Sequence, residues 1–475
     1  MTGLILIAFA ALTMGIEPLT GTATATTVRV DGPGDGDGQN GDEFDTIQLA
    51  ATALLASSED GVADRIEVVV DTLEGSSFYI FISALAGSSF DDLVLEGDGD
   101  GNGVPCLHVT SSQNAIWLTA GQAVTIEDFL MIPDNATGDQ SGSLDIYTTT
   151  DALGASATLR DITITASAPG NVPVDPTTSL PASAARFTGG WAVVGEGLSE
   201  VDLRVERVTS AHTRFGQVAT LYGHGITAQV VSCEFLNSLN GLSLTPCSGE
   251  AVFFEDCLFE GQQSSLMTLV GVQEGTSLDV TFGPGCVFRD LMGNGIEEFD
   301  PPPGEVGGGD IAVRFAGTAE NPIIADNVLN LYTNLRAVNT LESVEHLHSR
   351  NSRTPLITVF SDSIGDAAPR FSDCLIVADS DLSIGTGALV IDVTQDPASA
   401  EPVIIERCTF HDDTVGPAGG YTALTLNATG PSTADVLITD CIFSGREDGT
   451  AIGAQTPIGG TLRLERCALA QQLTV

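Results

Sequence analysis

A six-residue phrase that returns four times near the end of the chain sets the strongest limit on the fold. Each copy carries a cysteine at its fourth position, directly after an Asp or an Arg: Phe371–Ile376, Ile405–Phe410, Ile438–Phe443 and Leu464–Leu469. Successive cysteines are 34, 33 and 26 residues apart. A constant core joined by loops of varying length indicates a repeat architecture.

Weaker copies of the phrase extend far upstream. They occur at Val124–Phe129, Ala157–Ile162, Leu203–Val208, Val231–Phe235, Glu255–Phe259, Gly285–Phe288 and Ile324–Val328. The 53 glycines and the small share of charged residues suit short strands joined by turns. Two or three strands in each period, with no helix between them, predict the coils of a parallel β-solenoid.

The N-terminal part of the chain predicts one strand and one helix before the repeats begin. The strand covers Val28–Val30, and residues 31–45 form an acidic, glycine-rich linker. Asp45 stands at the expected N-cap of the helix. One helical face then collects the apolar residues Ile47, Ala50, Ala51, Leu54 and Leu55. We expect this helix to cap the first coil, whose core and sheet edges would otherwise be exposed.

The chain resembles the right-handed parallel β-helix proteins of the pectin-lyase-like superfamily. The resemblance covers residues 44–475 and rests on the helix start Asp45–Gln48, the turn Leu95–Gly99 and the cysteine-bearing coils. It implies an all-β fold, a right-handed parallel β-helix of three-strand coils with an N-terminal capping helix. These features are typical of the fold and do not identify one activity.

The net charge and the N-terminal residues indicate where the protein acts. There are 63 acidic residues and 17 basic residues, and every basic residue is Arg. The large net negative charge excludes a role in binding nucleic acid, because it repels the phosphate backbone. Residues 4–16 are apolar and Ala23–Ala25 offers a cleavage site, which together predict a secretory signal peptide, although residues 1–3 lack a positive charge. We therefore expect a secreted or cell-surface protein with no membrane insertion after cleavage.

This gives three predicted regions. Residues 1–25 are the signal peptide, and residues 26–60 hold the strand, the linker and the capping helix. Residues 61–475 form a β-helix of about a dozen coils, each coil being one repeat.

The cysteines allow two interpretations. A Cys followed two residues later by an apolar residue points inward on a strand, where it acts as a small buried hydrophobe. The alternative is a disulfide framework or a metal site, but Cys-x-x-Cys spacing is absent and nine cysteines cannot all pair. We predict reduced core cysteines, with Cys106 and Cys247 as the exceptions because they stand off the ladder.

The residue before each cysteine points outward instead. In the last four coils this residue is Asp373, Arg407, Asp440 and Arg466. If the copies are in register, charges of alternating sign lie in a column on the surface. Ion pairs that relieve like-charge stacking are the simpler interpretation, and a ligand-binding groove is the alternative.

Two segments are candidates for catalysis. Tyr222–Ile226 resembles the Gly-His-Gly segment of polygalacturonase-type glycoside hydrolases, but the acidic partner motifs and the lysine are missing. His346, His348, Arg350 and Arg353 form the densest polar cluster and could serve a lyase, yet a solvated strand explains them as well. The sequence assigns no catalytic residue.

One loop resembles part of a calcium-binding site. Asp98–Gly103 begins like a calcium-binding loop, but Val109 stands where the bidentate Glu belongs. Glycine and acidic residues are also common at solenoid corners. The sequence therefore assigns no cofactor-binding or metal-binding residue, with calcium as the one cofactor left open.

The expected function is a structural, adhesive or carbohydrate-binding role for a secreted rod. The alternative is a polysaccharide lyase or glycoside hydrolase that acts on an acidic polysaccharide. Expected partners are a polysaccharide or an extracellular protein. The repeats continue to Val475 without a capping segment, so we also expect association through the last coil.

Overall fold

The computed structural model describes most of the repeat region. The described residues are 27–31, 44–57, 64–74, 77–82, 92–110, 114–119, 121–133, 144–148, 154–165, 189–194, 201–211, 217–224, 226–237, 242–248, 250–262, 267–270, 277–299, 310–334, 341–351, 356–361, 369–378, 387–393, 402–412, 422–427, 435–445, 450–454, 461–470 and 472–474. The predicted signal peptide and most of the acidic linker lie outside them.

The first part of the described chain contains one helix and ten strands. They are β1 (Thr27–Val30), α1 (Ile47–Ser57), β2 (Asp64–Val68), β3 (Thr72–Glu74), β4 (Tyr79–Ile82), β5 (Asp92–Glu96), β6 (Cys106–Thr110), β7 (Asn114–Leu118), β8 (Ala123–Pro133), β9 (Leu144–Thr148) and β10 (Ala155–Thr165).

The middle part contains thirteen strands. They are β11 (Gly189–Val194), β12 (Val201–Glu206), β13 (Thr209–Ala211), β14 (Gln217–His224), β15 (Ile226–Val231), β16 (Glu234–Leu236), β17 (Leu242–Ser248), β18 (Glu250–Glu255), β19 (Leu258–Glu260), β20 (Met267–Val270), β21 (Ser277–Phe282), β22 (Val287–Arg289) and β23 (Asn294–Phe299).

The last part contains the remaining strands. They are β24 (Asp310–Ala316), β25 (Ile323–Asp326), β26 (Asn330–Asn334), β27 (Leu341–Glu345), β28 (Leu347–Arg350), β29 (Ile357–Ser361), β30 (Arg370–Ser372), β31 (Leu375–Ala378), β32 (Gly387–Val393), β33 (Val403–Glu406), β34 (Thr409–Asp412), β35 (Thr422–Asn427), β36 (Val436–Thr439), β37 (Ile442–Gly445), β38 (Thr450–Ala454), β39 (Leu462–Glu465), β40 (Ala468–Leu469) and β41 (Gln472–Thr474).

Two long parallel sheets make up this fold. One sheet stacks 14 strands in the order β4, β7, β9, β11, β14, β17, β20, β23, β26, β29, β32, β35, β38, β41, and the other sheet contains the remaining 27 strands. Each strand pairs in parallel with its equivalent in the next coil. At a strand spacing of about 4.8 Å, fourteen strands extend about 60 Å. The resemblance is confirmed: the chain is a right-handed parallel β-helix.

A corner residue with positive φ divides most coils of the 27-stranded sheet into two strands. Asp373, Arg407, Asp440 and Arg466 have φ values of 55, 54, 54 and 53°. Residues other than glycine seldom adopt this conformation. Here the backbone amide of the corner residue donates to the next coil, as from Arg407 N to the carbonyl oxygen of Thr439 at 3.0 Å. The stacking of coils therefore holds the corner in place.

The described cysteines point into the core. Cys106, Cys233, Cys257, Cys286, Cys374, Cys408 and Cys441 are buried, Cys467 is half-buried, and all eight are free thiols. The Sγ of Cys257 donates to the carbonyl oxygens of Glu255 and Val230, both at 3.3 Å. Burial raises the pKa of Cys106 to about 12. The predicted inward placement of the ladder cysteines is confirmed for the seven of them other than Cys106. The side chain of Cys247 is outside the described residues.

The placement of Cys106 corrects one expectation. Cys106 lies opposite Phe129, and Phe129 lies opposite Ile162, which continues into the column of the later ladder cysteines. Cys106 therefore belongs to the ladder. The long turn over residues 98–105 separates Cys106 from the preceding strand β5, so the sequence does not reveal this register.

Phenylalanine rings form a second core ladder. The Phe259 ring stacks on Phe235 and Phe288 with centroid distances of 5.1 and 5.0 Å. It also meets Phe254 and Phe282 edge to face, at 5.6 and 5.9 Å. Offset stacking and edge-to-face contact are both favourable for aromatic pairs. Phe259 thus links two parallel stacks of rings in the middle of the rod.

Helix α1 lies against the first strands. Its residues Ile47, Ala50, Ala51 and Leu54 are buried in the common core, as the sequence predicts. The N-cap is Thr46 rather than Asp45, because the Thr46 Oγ1 accepts a bond from the amide of Leu49 at 3.2 Å. The capping role of the helix stays a prediction. No helix in the described part of the chain is long and apolar enough to span a membrane.

We expect Phe259→Ala to lower the free energy of unfolding by about 3–5 kcal/mol, because it removes a ring that four others contact. Urea unfolding followed by circular dichroism measures this change. Leu375→Ala is the matched control, since Leu375 is 37% exposed on the outside of a strand. Similar losses for the two variants would contradict the assignment of Phe259 to the centre of the core.

Candidate functional site

Three aromatic side chains lie on the outside of the 14-stranded sheet in its first three coils. Tyr79 comes from β4, Trp117 from β7 and Tyr147 from β9. In each of the last two strands the flanking residues point inward, so the aromatic side chain points outward. Trp117 and Tyr147 lie directly opposite each other. We call these three residues the aromatic column.

The rings of the aromatic column overlap only in part. The centroids of Trp117 and Tyr147 are 5.2 Å apart with a 16° angle between the planes. Tyr79 and Trp117 are 6.3 Å apart at 30°. Tyr79 lies opposite the small Ala115, so Trp117 reaches it diagonally. Because rings in face-to-face contact are about 3.5–4.0 Å apart, these rings are offset from one another.

A buried carboxylate lies next to the aromatic column. Asp145 is two residues before Tyr147 on the same side of β9 and is 4% exposed. The Tyr147 hydroxyl donates to its Oδ2 at 3.0 Å. Burial raises the pKa of Asp145 to about 6, and the bond from Tyr147 opposes this shift. The proton on Asp145 is thus held to a higher pH than on an ordinary aspartate.

An acidic cluster lies on the other sheet in the same coils. The carboxylate oxygens of Glu96, Glu127 and Asp128 lie within 4.8 Å of one another. Gly97 makes this possible, since a Cβ there would lie 1.9 Å from the Asp128 carbonyl oxygen. Burial raises the pKa of Asp128, and the charges of Asp161 and Glu127 add to the shift.

These three are the described residues that could hold a cation. Two of them already form ion pairs, Glu96 with Arg65 and Glu127 with Arg160. Three carboxylates also supply only part of the six to eight oxygen ligands that calcium takes. Calcium binding stays a prediction.

The predicted calcium-like loop has another structural explanation. The Asp98 Oδ2 accepts a bond from the amide of Gly103 at 2.9 Å, and the Asp100 Oδ1 accepts one from Asn102 at 3.1 Å. The Asn102 Oδ1 in turn accepts a bond from Val104 at 2.7 Å. The motif thus forms successive turns in which side-chain oxygens bind nearby amides. It organises the connection between β5 and β6.

The predicted column of alternating charges is confirmed. Arg407 donates two bonds to Asp373, both at 2.8 Å, and Arg466 donates two to Asp440, both at 2.6 Å. The bond from Arg407 holds the pKa of Asp373 below its usual range. The column joins neighbouring coils by ion pairs, which favours the simpler of the two interpretations.

The predicted lyase cluster lies along one strand. His346 is a corner residue, His348 lies between Ile324 and Leu375, and the Arg350 guanidinium pairs with Asp326 at 2.8 Å. Burial lowers the pKa of His348, and His346 adds to the shift. The described neighbours of His348 in its column are therefore apolar. Neither of them can act as an acid or a base together with His348.

Two other residues predicted as candidates for catalysis are not fully described by the structure. Arg353 is outside the described residues. His224 ends β14, where the register shifts after Gly223, and its side chain is not described. Among the predicted residues that the structure describes, no group lies close enough together to form a catalytic site.

The aromatic column and Asp145 are missing from the sequence-based candidates. One signal was available: Ile116-Trp117-Leu118 and Ile146-Tyr147-Thr148 repeat an aromatic residue after a buried isoleucine at a spacing of 30 residues, close to the repeat length. An aspartate inside the otherwise apolar strand β9 was a second signal.

We expect Asp145→Asn to raise the free energy of unfolding at pH 7 by about 2 kcal/mol, because it removes a buried charge. The folded pKa lies above the unfolded value of about 3.9, so the folded state binds more protons between these values and stability falls as pH rises from about 4 to 6. The gain should therefore vanish below about pH 4. Urea unfolding at several pH values measures it.

The matched control for Asp145→Asn is Asp92→Asn, which removes one negative charge from the exposed start of β5. We expect this control to change the free energy of unfolding by less than about 0.5 kcal/mol. Equal gains from the two variants would show that general charge repulsion, rather than the burial of Asp145, is responsible.

For the charge column, we expect Asp373→Asn to lower the free energy of unfolding at pH 7 by at most about 1 kcal/mol. Since the pKa of Asp373 is lowered in the folded state, this loss should disappear as pH falls below about 4, and salt should reduce it. Asp256→Asn is the control at an equivalent corner, where Asn321 rather than an arginine is the partner. Equal effects of the two substitutions would contradict the ion pair.

Comparisons with known proteins give only distant structural similarity. No protein-family model and no curated protein sequence matches the chain. The A-module of a mannuronan C-5 epimerase from Azotobacter vinelandii has 11% identity and a TM-score of 0.31, over 90% of this chain and 92% of that chain. PfbA, a surface adhesin of Streptococcus pneumoniae, has 10% identity and a TM-score of 0.29, over 82% and 85%. The strand pairing of the chain itself defines it as a parallel β-helix.

Proposed function

We propose that this protein is a non-catalytic rod that acts outside the cell and binds carbohydrate through the aromatic column. The observation that carries the proposal is the partial exposure of three overlapping rings on one face of a rigid sheet. A β-helix fixes such side chains at regular intervals, so an extended ligand can meet several of them without ordering a flexible loop first.

The chemistry of the column suits a sugar chain. Tyrosine and tryptophan present an apolar face together with a polar group, which matches the apolar and hydroxyl-bearing sides of a sugar ring. Tyr79 is 41% exposed, and Trp117 and Tyr147 are partly exposed. Binding sites commonly combine such apolar surface with a few polar groups that fix orientation.

The exposure of the aromatic column comes from the three rings themselves. By backbone register Tyr79 lies in line with Ala115 and Asp145, and Trp117 lies in line with Tyr147. Ala115 and Asp145 are buried, with exposed fractions of 0 and 4%. The surface that we propose for a ligand is therefore that of Tyr79, Trp117 and Tyr147.

Export from the cell is part of the proposal. The apolar run at residues 4–16 and the small residues Ala23–Ala25 support a cleaved signal peptide. Cleavage after Ala25 would leave β1 intact, because that strand begins at Thr27. N-terminal sequencing of the exported protein should then begin at Thr26.

We expect Trp117→Ala to weaken glycan binding about tenfold, since an aromatic contact contributes about 0.5–1.5 kcal/mol and Trp117 touches both neighbours in the column. Affinity electrophoresis through gels that contain hydroxyethyl cellulose, glycol chitosan or alginate measures the retardation of the folded protein. A protein that none of the three glycans retards would overturn the proposal.

Two matched variants separate a binding effect from a structural one. Trp117→Phe keeps an aromatic ring at the position and should retain most of the binding. Leu375→Ala removes an exposed apolar side chain from the other sheet and should bind like the wild type. Equal binding by Trp117→Ala and wild type would exclude the aromatic column as the site.

A further inference from the structure

Exposed apolar side chains lie on the outer side of the 27-stranded sheet in its last four described coils. The residues that directly follow the ladder cysteines there point outward and stack in register as Leu375, Thr409, Ile442 and Ala468. Leu375 is 37% exposed and Ile442 is 48% exposed. Contiguous exposed apolar surface is typical of sites that bind other macromolecules. We call these four residues the apolar stripe.

The column of alternating charges runs beside the apolar stripe. Each of its members stands two residues before a member of the stripe in the sequence. The side chains of Asp373 and Arg407 are 29 and 50% exposed, and those of Asp440 and Arg466 are 41 and 65% exposed. With two aspartates and two arginines, this column contributes no net charge to the surface.

The column on the other side of the stripe is also without net charge. It consists of Val377, His411 and Ser444, which stack in register on β31, β34 and β37. In the coils before these, the equivalent residues are charged: Glu260, Arg289, Asp326 and Arg350. The uncharged part of this outer side therefore begins at the coil of Asp373.

This local neutrality matters because the whole chain has a net charge of −46. Two copies of such a chain repel each other over most of their surfaces. The strand before the corner also adds little net charge here, since Glu406 pairs with Arg370 and Glu465 pairs with Arg463. The apolar stripe and the two columns beside it thus form a face at which a second copy can approach without strong repulsion.

The order of the charges fits this face to itself when one rod is reversed. Along the rod the column reads Asp373, Arg407, Asp440, Arg466, so the reversed column reads Arg, Asp, Arg, Asp. A two-fold axis perpendicular to the rods, between the coils of Arg407 and Asp440, places every charge opposite one of the other sign. In a parallel pair with the same columns opposed, each charge would face one of its own sign.

The sizes of the side chains in the apolar stripe fit the same arrangement. The axis that pairs the charges places Leu375 of one copy opposite Ala468 of the other, and Ile442 opposite Thr409. A large side chain thus faces a smaller one at every position of the stripe. Facing surfaces interdigitate best when large and small side chains alternate in this way.

From these observations we infer that two copies of this chain associate side by side, with antiparallel rods, through the outer side of their last four described coils. The contact is isologous, which is the commonest form of homodimer interface. Four coils extend about 19 Å at the strand spacing, so the interface is small and the complex is a weak one. This inference does not depend on carbohydrate binding, because the aromatic column lies on the other sheet in the first coils.

Sedimentation equilibrium of the full chain tests the association. The salt concentration is set at about 0.3 M, which screens the long-range repulsion between two acidic chains. We expect a monomer–dimer equilibrium with a dissociation constant on the order of 10–100 μM, as for other small interfaces. A chain that remains monomeric at a concentration of about 1 mM would overturn the inference.

Two variants with the same added charge test the position of the interface. Ile442→Glu places a negative charge in the apolar stripe and should weaken the dimer at least about tenfold, because the charge loses water on association. Met292→Glu is the matched control, since Met292 is 51% exposed and lies outside the stripe, and it should leave the dimer unchanged. Circular dichroism checks that both variants fold. Equal dissociation constants for the two variants would exclude this face.

Cysteine cross-linking tests the orientation, in a Cys467→Ser background that removes the half-buried thiol. A mixture of Leu375→Cys and Ala468→Cys chains should form a covalent dimer with a short bismaleimide. Leu375→Cys alone should not, because its two copies would be about three coils, or roughly 14 Å, apart along the rods. Cross-linking of Leu375→Cys to itself, with no gain from the Ala468→Cys chain, would overturn the antiparallel arrangement.

Discussion

Stacking in register governs this protein. Each residue of a coil lies about 4.8 Å from its equivalents in the coils on either side, so every position along the strand becomes a column of side chains. A column persists only if its members tolerate contact with one another. Apolar residues satisfy this condition inside the rod, where the cysteine and phenylalanine ladders form. On the outside, opposite charges that alternate satisfy it through ion pairs, as they do from Asp373 to Arg466. Where like charges meet, as at Glu96, Glu127 and Asp128, their repulsion helps to raise the pKa of Asp128.

The two sheets meet this condition differently on their outer sides. The 27-stranded sheet carries the arginines of the described chain, each joined to a carboxylate, so that side is held together by ion pairs. The 14-stranded sheet carries aromatic side chains at one end and small, buried residues farther along. The aromatic end coincides with the segment between Arg65 and Arg160, in which the sequence contains no basic residue.

Sequence patterns predicted the parts of the structure that follow one repeat. The inward cysteines and the outward charges depend only on alternation within a six-residue phrase, so both were accessible. The N-cap was assigned one residue early, because Asp45 and Thr46 have similar capping tendencies and only the bond to Leu49 distinguishes them. The aromatic column was not found, since Tyr79, Trp117 and Tyr147 are separated by loops of unequal length and lie on the sheet that the phrase does not mark. Their proximity depends on a register that the structure supplies.

The corner residues have a consequence for how such a chain can change over evolutionary time. Their backbone amides are bound to the next coil whichever side chain is present: Arg207, Ser232, Asp373 and Asp440 all donate to a carbonyl oxygen at 2.9 to 3.1 Å. The corner thus accepts a positive, negative or neutral side chain on one unchanged backbone. Substitutions there can rewrite the charge pattern of the surface while the interior stays as it is. The surface charge and the architecture of this lineage can therefore diversify almost independently.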